Sequence, residues 1–195
     1  MRNEIDRREA VAELLRDPGD LLVVAGLGAA AYDVGAAGDR PLNFYLWGAM
    51  GGAAMIGLGL AQAQPERRVL VITGDGEMLM GMGALATIAA AGVTNLAIAV
   101  LDNACYGETG SQSSHTGHGA DLAGIAAACG WKAAATATSM GEVAALRPRL
   151  RRERLFAVIR ISPEEKPRFL PPKDGAYLTD RFRRALRVAD SCGGL

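Results

Sequence analysis

Neither sign of charge dominates this 195-residue sequence, in which 21 lysines and arginines stand against 21 aspartates and glutamates. A chain without a basic surplus has no footprint for a phosphate backbone, which sets nucleic acid aside as a partner. Its one dense basic stretch, Arg147, Arg149, Arg151, Arg152 and Arg154, is broken by Pro148, Leu150 and Glu153 and reads as a solvated helix face. Cysteine is scarce as well. Cys105, Cys129 and Cys192 are an odd, widely spaced set with no C-x-x-C pair, which argues against a disulfide framework, a zinc knuckle and a cysteine-held iron–sulfur cluster. That usage fits a reducing, cytoplasmic setting. Met1 to Asp17 is charged throughout and lacks the apolar core of a secretory signal. The nearest thing to a long apolar run, Leu46 to Ala63, is interrupted by Gly48, Gly51, Gly52, Gly57 and Gly59 and is followed by Gln64, Pro65, Glu66, Arg67 and Arg68. It reads as a buried helix, so no membrane partner is expected.

Half of the residues are apolar, enough for one domain spanning residues 1–195 with a core of its own. Uninterrupted apolar runs of strand length recur at Leu21 to Ala25, Val69 to Thr73, Asn95 to Leu101 and Leu155 to Ile161, with a weaker one at Ala133 to Ala137. Runs of that kind suit strands covered on both faces, the signature of a parallel sheet. Helix-length segments lie between them, at Gly48 to Ala63, Met78 to Ala91, Asp121 to Cys129 and Met140 to Arg152, after an opening helix at Asn3 to Arg16. The alternation predicts an α/β fold: a doubly wound parallel sheet with helices on both faces and ligands at the carboxyl ends of the strands. Ser162 to Lys173, with four prolines, reads as an extended linker to a C-terminal helix at Ala176 to Ala189.

The run Val69 to Thr73 leads straight into Gly74-Asp75-Gly76-Glu77 and then a helix. Strand, glycine turn and helix N-terminus form an anion cradle, because the glycines let the backbone approach and the first helical amides point at the ligand. Asp75 would repel a bare phosphate there, so the arrangement makes sense with a hard cation such as Mg²⁺ between carboxylate and phosphate oxygens. The next strand ends in Asp102-Asn103, which places a second oxygen ligand at the neighbouring strand end. Read alone, Gly74 and Gly76 could simply form a tight turn and Asp75 a helix N-cap.

Four blocks in order resemble the thiamine diphosphate-dependent enzymes. They are Asn43 to Gly51, Gly74 to Met80, Leu85 to Ile88 and Val100 to Gln112, and the likeness is nearest to the sulfopyruvate and phosphonopyruvate decarboxylases. The resemblance implies thiamine diphosphate and Mg²⁺ as cofactors. It implies Asp75, Asn103 and the backbone carbonyl of Cys105 as metal ligands, with Gly76 and Glu77 giving amides to the diphosphate and Gly74, Tyr106 and Gly107 beside it. It further implies Gly48 as acceptor for the aminopyrimidine and Met50 as the apolar wedge that bends the cofactor. A small apolar packing role suits the Cys105 side chain. His115 and His118 read as part of a polar surface loop, with acid–base service as the alternative.

Enzymes of this kind resemble one another in needing a second domain that holds the aminopyrimidine and supplies a glutamate. All the blocks here match the diphosphate half, so the resemblance implies a separate pyrimidine-domain (alpha) subunit, the cofactor at the interface, and no catalytic residue on this chain. The chain departs from the decarboxylase pattern at Gly26-Leu27-Gly28-Ala29-Ala30-Ala31, where relatives carry Thr, Ser or Lys, and at Met50-Gly51-Gly52, where they show Met-Gly-His. Those losses leave the metal ligands intact and the identity of the small 2-oxo acid substrate open. The implied activity is a 2-oxo acid decarboxylase. An acetolactate synthase-like carboligase, a catalytically silent cofactor-binding subunit and a nucleotide-binding sheet protein are the alternatives.

Overall fold

The apolar runs become the interior of a six-stranded parallel sheet in the computed structural model, which describes residues 5–192, with side chains as far as 187. In chain order the strands are β1 (Leu22–Ala25), β2 (Asn43–Tyr45), β3 (Val69–Gly74), β4 (Leu96–Asp102), β7 (Ala134–Ala137) and β8 (Phe156–Arg160). They lie in the order β2-β1-β3-β4-β8-β7, and a two-stranded antiparallel hairpin, β5 (Cys105–Tyr106) with β6 (Gln112–Ser113), stands apart. All seven residues of β4 are buried, as parallel strands covered on both faces require.

Side chains alternate across the sheet and feed two cores. Val23, Leu70, Ile72, Ala99 and Ile159 face α1 (Arg7–Leu14), α2 (Ala29–Ala36) and α7 (Met140–Leu150). Val24, Val71, Ile98, Val100 and Val158 face α3 (Ala53–Ala63), α5 (Ala84–Ala91) and α6 (Leu122–Ala128). The expected doubly wound sheet is therefore present, with one crossover more than the alternation predicts. Helix α2 and strand β2 intervene before α3, and β2 adds to the far side of β1 while β3 adds to the near side. That reversal puts a topological switch point between the carboxyl ends of β1 and β3.

Several element boundaries differ from expectation for local reasons. Helix α1 begins at Arg7 because the Asp6 carboxylate caps the amides of Arg8 and Glu9, and Asn3 and Glu4 of the expected helix lie outside the described residues. Residues 48–52 form a turn instead of the first turns of α3, with Ala49 and Gly51 at positive φ. The expected helix at Met78 to Ala91 is two helices, α4 (Asp75–Met80) and α5, broken where Gly81 presses on the Gly51 backbone. Three arginines of the basic stretch spend their guanidinium groups on parts of the protein outside that stretch. Arg147 pairs with Glu13, Arg151 bonds the carbonyls of Arg16 and Asp17, and Arg154 stacks on Trp131. Arg149 and Arg152 are exposed, as a solvated face requires, and Arg149 pairs with Glu153 one turn on at 2.7 Å.

Residues 162–173 are tethered across the carboxyl end of the sheet. Lys166 pairs with Asp6 at 2.6 Å, Arg8 bonds the Pro167 carbonyl at 2.8 Å, Phe169 packs on Gly35, and Trp47 Nε1 donates to the Pro172 carbonyl at 2.8 Å. Helix α8 (Gly175–Cys192) follows, with the Cys192 side chain outside the described ones. Phe182 of α8 meets Phe44 edge-on at 5.7 Å, and Arg181 pairs with Asp39 at 2.7 Å, so α8 covers the β2 edge. Among the described residues no helix is long and apolar enough to cross a membrane. Replacing Trp47 with Phe removes one hydrogen bond, worth about 1 kcal/mol, from the tether. Trypsin should then cut the Arg168–Phe169 bond roughly fivefold faster, and an unchanged rate would mean that Trp47 does not hold the segment down.

Candidate cofactor site

Strand β3 ends at the switch point, and Gly74 pairs there with Leu101 of β4. The N-cap of α4 is Gly74, so Asp75 is the first helical residue and not the cap. Its carboxylate is only 2% exposed. Oδ2 accepts a hydrogen bond from Ser114 Oγ and lies 3.1 Å from Thr116 Oγ1. Thr116 Oγ1 is also 2.7 Å from Asp102 Oδ1, so a single hydroxyl proton is shared between two buried carboxylates. Asp102 has a cation of its own in Arg160 and takes the Ala104 amide at 3.0 Å. No basic side chain among the described residues pairs with Asp75. Burial pushes its pKa up, the neighbouring Asp102 carboxylate pushes it further, and the Ser114 and Thr116 hydroxyls only oppose this. A buried carboxylate in that position lacks a positive partner.

A tight turn brings the other expected residues to it. Ala104 adopts φ +60°, the Asn103 side-chain oxygen accepts the Cys105 amide at 3.2 Å, and the β5–β6 hairpin folds back so that Ser114 donates its amide to the Ala104 carbonyl at 2.9 Å. The hairpin thereby delivers Ser114 and Thr116 beneath Asp75. Gly76 is required by close approach, because a Cβ there would lie 2.5 Å from the Tyr106 ring. Burial pushes the Cys105 thiol up, and the Asp75 and Asp102 carboxylates add to the shift, so the group is a poor nucleophile suited to packing. His115 and His118 are exposed on a 3₁₀ turn, as the surface-loop reading expects.

Glu77 ties the floor together. Its carboxylate accepts Thr73 Oγ1 at 2.7 Å and lies against Gly26, where a Cβ would fall 1.9 Å from Oε2. Burial pushes its pKa up, while Thr73 and the nearby amides of Ala53, Gly51 and Leu27 favour the charged form. Oε1 has no close hydrogen-bond partner.

A cavity of about 250 Å³ opens at this point. Met50, Gly74, Asp75, Gly76, Glu77, Asn103, Cys105, Tyr106 and Gly107 all line it, whereas Gly48 sits on the exposed turn outside the lining. The donor set of one carboxylate, one amide oxygen and one backbone carbonyl is all oxygen, the kind that Mg²⁺ takes. Among the described residues no group of three or more His, Cys, Asp or Glu could hold a metal, so a cation here would need oxygens from its ligand as well. Asp102, Ser114, Thr116 and Arg160 were not expected at the site. Nor were Arg7, Lys166 and Arg168, which line the cavity from α1 and from residues 162–173.

Residues 24–161 match the sequence profile of the thiamine pyrophosphate enzyme, C-terminal TPP binding domain. The chain belongs to that family. Thiamine diphosphate is the cofactor of this thiamine pyrophosphate enzyme domain, and the glycine turn, Asp75 and Asn103 lie inside the matched span. The sulfopyruvate decarboxylase subunit beta of Methanothermobacter thermautotrophicus is 45% identical over 111 residues, 57% of this chain and 60% of that one. The sulfopyruvate decarboxylase of Methanosarcina acetivorans is 36% identical over 184 residues, which cover 93% of this chain and 47% of the relative. Benzoylformate decarboxylase from Polynucleobacter necessarius shares the fold with a TM-score of 0.71 at 15% identity, over 84% of this chain and 34% of that one. The chain thus spans about half to three-fifths of the length of these two curated relatives.

Proposed function

We propose that this chain is the diphosphate- and Mg²⁺-binding subunit of a heteromeric thiamine diphosphate-dependent decarboxylase acting on a small 2-oxo acid. The observation that carries the reading is Asp75, a carboxylate buried without a cation, beside Asn103 and Cys105 at the switch point of the sheet. A divalent ion there would supply the missing charge and bridge to the diphosphate, with Asp75, Asn103 and the Cys105 carbonyl as its protein ligands. The amides of Gly76 and Glu77, at the start of α4, would face the phosphates. When bound, thiamine diphosphate supplies the electron sink that allows a 2-oxo acid to lose carbon dioxide. This chain's residues bind and orient it, and the Tyr106 ring over Gly76 walls one side of the cavity.

The second half of the site belongs, in this reading, to a partner subunit carrying the pyrimidine domain and the glutamate. The relative from Methanothermobacter thermautotrophicus is named as a beta subunit, and a surface of the right kind lies at the cavity rim. Met50 at 37%, Met55 at 42%, Ile56 at 36%, Met80 at 65% and Met82 at 40% are exposed on segments that meet where Gly51 touches Gly81. Clustered apolar exposure of this sort marks an interaction surface, and methionine suits an adaptable one.

The test is isothermal titration of thiamine diphosphate with Mg²⁺ into the chain, alone and co-purified with the candidate partner, followed by a screen of 2-oxo acids with product analysis. Mg²⁺-dependent binding that is strongest with the partner and at least about a hundredfold weaker in Asp75→Ala is expected. Absence of binding by the folded chain in either state would overturn the reading.

A further inference from the structure

We infer that Arg7 is an oxyanion-binding residue of the same cavity, held in place from behind by Asp33. The cavity has three cationic side chains on its wall, and two of them are committed elsewhere. Lys166 pairs with Asp6 at 2.6 Å and with Glu164 at 3.0 Å, and Arg168 pairs with Glu108 at 3.2 Å from an exposed position. Arg7 is different, being only 9% exposed. Its Nε lies 3.3 Å from Asp33 Oδ2, yet the two atoms do not align as a hydrogen bond, and no other side-chain partner of Arg7 is found among the described residues.

Asp33 is fully buried, and its other oxygen already accepts Arg8 Nε at 3.2 Å. Two guanidinium groups therefore share one carboxylate, and the positive charge left over sits on the cavity wall with most of its five donors unspent. Of its nitrogens only Nε is buried without a hydrogen bond, so the Nη groups keep open surface from which to meet a ligand in the cavity. The adjoining wall strengthens the case. Ala29 and Ala30, at the start of α2, line the cavity beside Arg7, and α2 has no side-chain cap. Loop 26–31 brings no hydroxyl or amine to a ligand, so on this wall Arg7 is the cationic donor, beside the first amides of α2 and the Tyr32 side chain. That combination recognises the oxygens of a phosphate, sulfonate or carboxylate.

The proposed function enters only in naming the two sources of such an oxyanion, the cofactor's diphosphate and the acidic group of the 2-oxo acid. Two inert probes separate them: inorganic pyrophosphate with Mg²⁺, and 3-sulfopropionate. The side-chain Nε–Hε resonance of Arg7 in the full wild-type chain should shift on titration with one of them. Affinity for that probe should fall at least about tenfold in Arg7→Met, with Arg7→Lys intermediate. A response to pyrophosphate assigns the site to the cofactor, and a response to 3-sulfopropionate assigns it to the substrate. A resonance that neither probe moves overturns the inference without recourse to a variant, since Arg7→Met may itself fail to fold. Asp75-dependent binding of thiamine diphosphate in the presence of such a silent Arg7 would leave the functional reading standing. An Arg7 response without Mg²⁺-dependent thiamine diphosphate binding would do the reverse.

Discussion

Gly81→Ala should destabilise the chain by about 3 kcal/mol, the upper end of what overpacking usually costs. A Cβ at this position would lie 2.1 Å from the Gly51 carbonyl oxygen and 2.9 Å from its carbon, and both are backbone atoms. Neither side can yield easily. Gly51 sits at φ +89° in its turn, and the Gly81 amide closes α4 on the Glu77 carbonyl at 3.0 Å. For a chain of this size the loss corresponds to a fall in Tm of roughly 6–12 °C. Gly83→Ala is the control, because a Cβ there meets nothing within 4 Å and the residue already has helical φ −58° and ψ −23°. That variant should melt at or slightly above the wild-type temperature. Equal melting of Gly81→Ala and wild type would mean that the two turns do not touch. The same substitution should also separate Met50 from Met80 and Met82, and so weaken association with the proposed partner subunit.

Asp102→Asn should have the second large effect, on stability and on the metal together. Asp102 holds Arg160, the Thr116 hydroxyl and the Ala104 amide at once. Breaking a buried ion pair costs about 3–5 kcal/mol, and because Arg160 is two-fifths exposed the expected loss is about 2 kcal/mol. Residues that orient metal ligands typically change affinity by about 10–100-fold when altered, so Mg²⁺-dependent cofactor binding should weaken by that factor. Thr116→Val removes the proton shared between Asp75 and Asp102 at nearly constant volume, and should weaken the same binding. In a double-mutant cycle the two changes should be coupled by about 1 kcal/mol or more. Additive effects would show that Thr116 does not link the carboxylates.

The parts of the fold legible in the sequence are those whose environment is uniform along an element. Strands β3 and β4 are buried on both faces, so they appear as unbroken apolar runs, and the glycine turn after β3 marks itself by composition. Helix α2 and strand β2 are invisible by the same criterion. Ala29–Ala31 shows no apolar period, and Asn43-Phe44-Tyr45 is three residues long, short enough to be a loop. The break between α4 and α5 depends on a contact with Gly51, a residue 30 positions away. At the site, Asp75 and Asn103 are legible because strand ends place them together, whereas Cys105 enters only through the family resemblance. Ser114 and Thr116 are not, since hydroxyls beside His115 and His118 look like solvent-exposed polar residues. A 3₁₀ turn sorts them, burying Ser114 and Thr116 while exposing both histidines. Arg7 and Arg168 reach the cavity only because α1 and residues 162–173 cross it, and no local pattern announces that.

The cavity's two walls have unequal kinetic character. One wall is the end of β3, a strand hydrogen-bonded on both sides as far as Ile72 and to β4 through Gly74. Its amides should exchange with deuterium only through global unfolding. The opposite wall is the β5–β6 hairpin, which has two residues per strand, and the tethered residues 162–173, which lack a ladder of their own. Their amides should exchange orders of magnitude faster, through local openings. Arrival and departure of a bound cofactor would therefore be timed by the hairpin and the tether, while Asp75, the carboxylate proposed to hold a metal, keeps its place throughout.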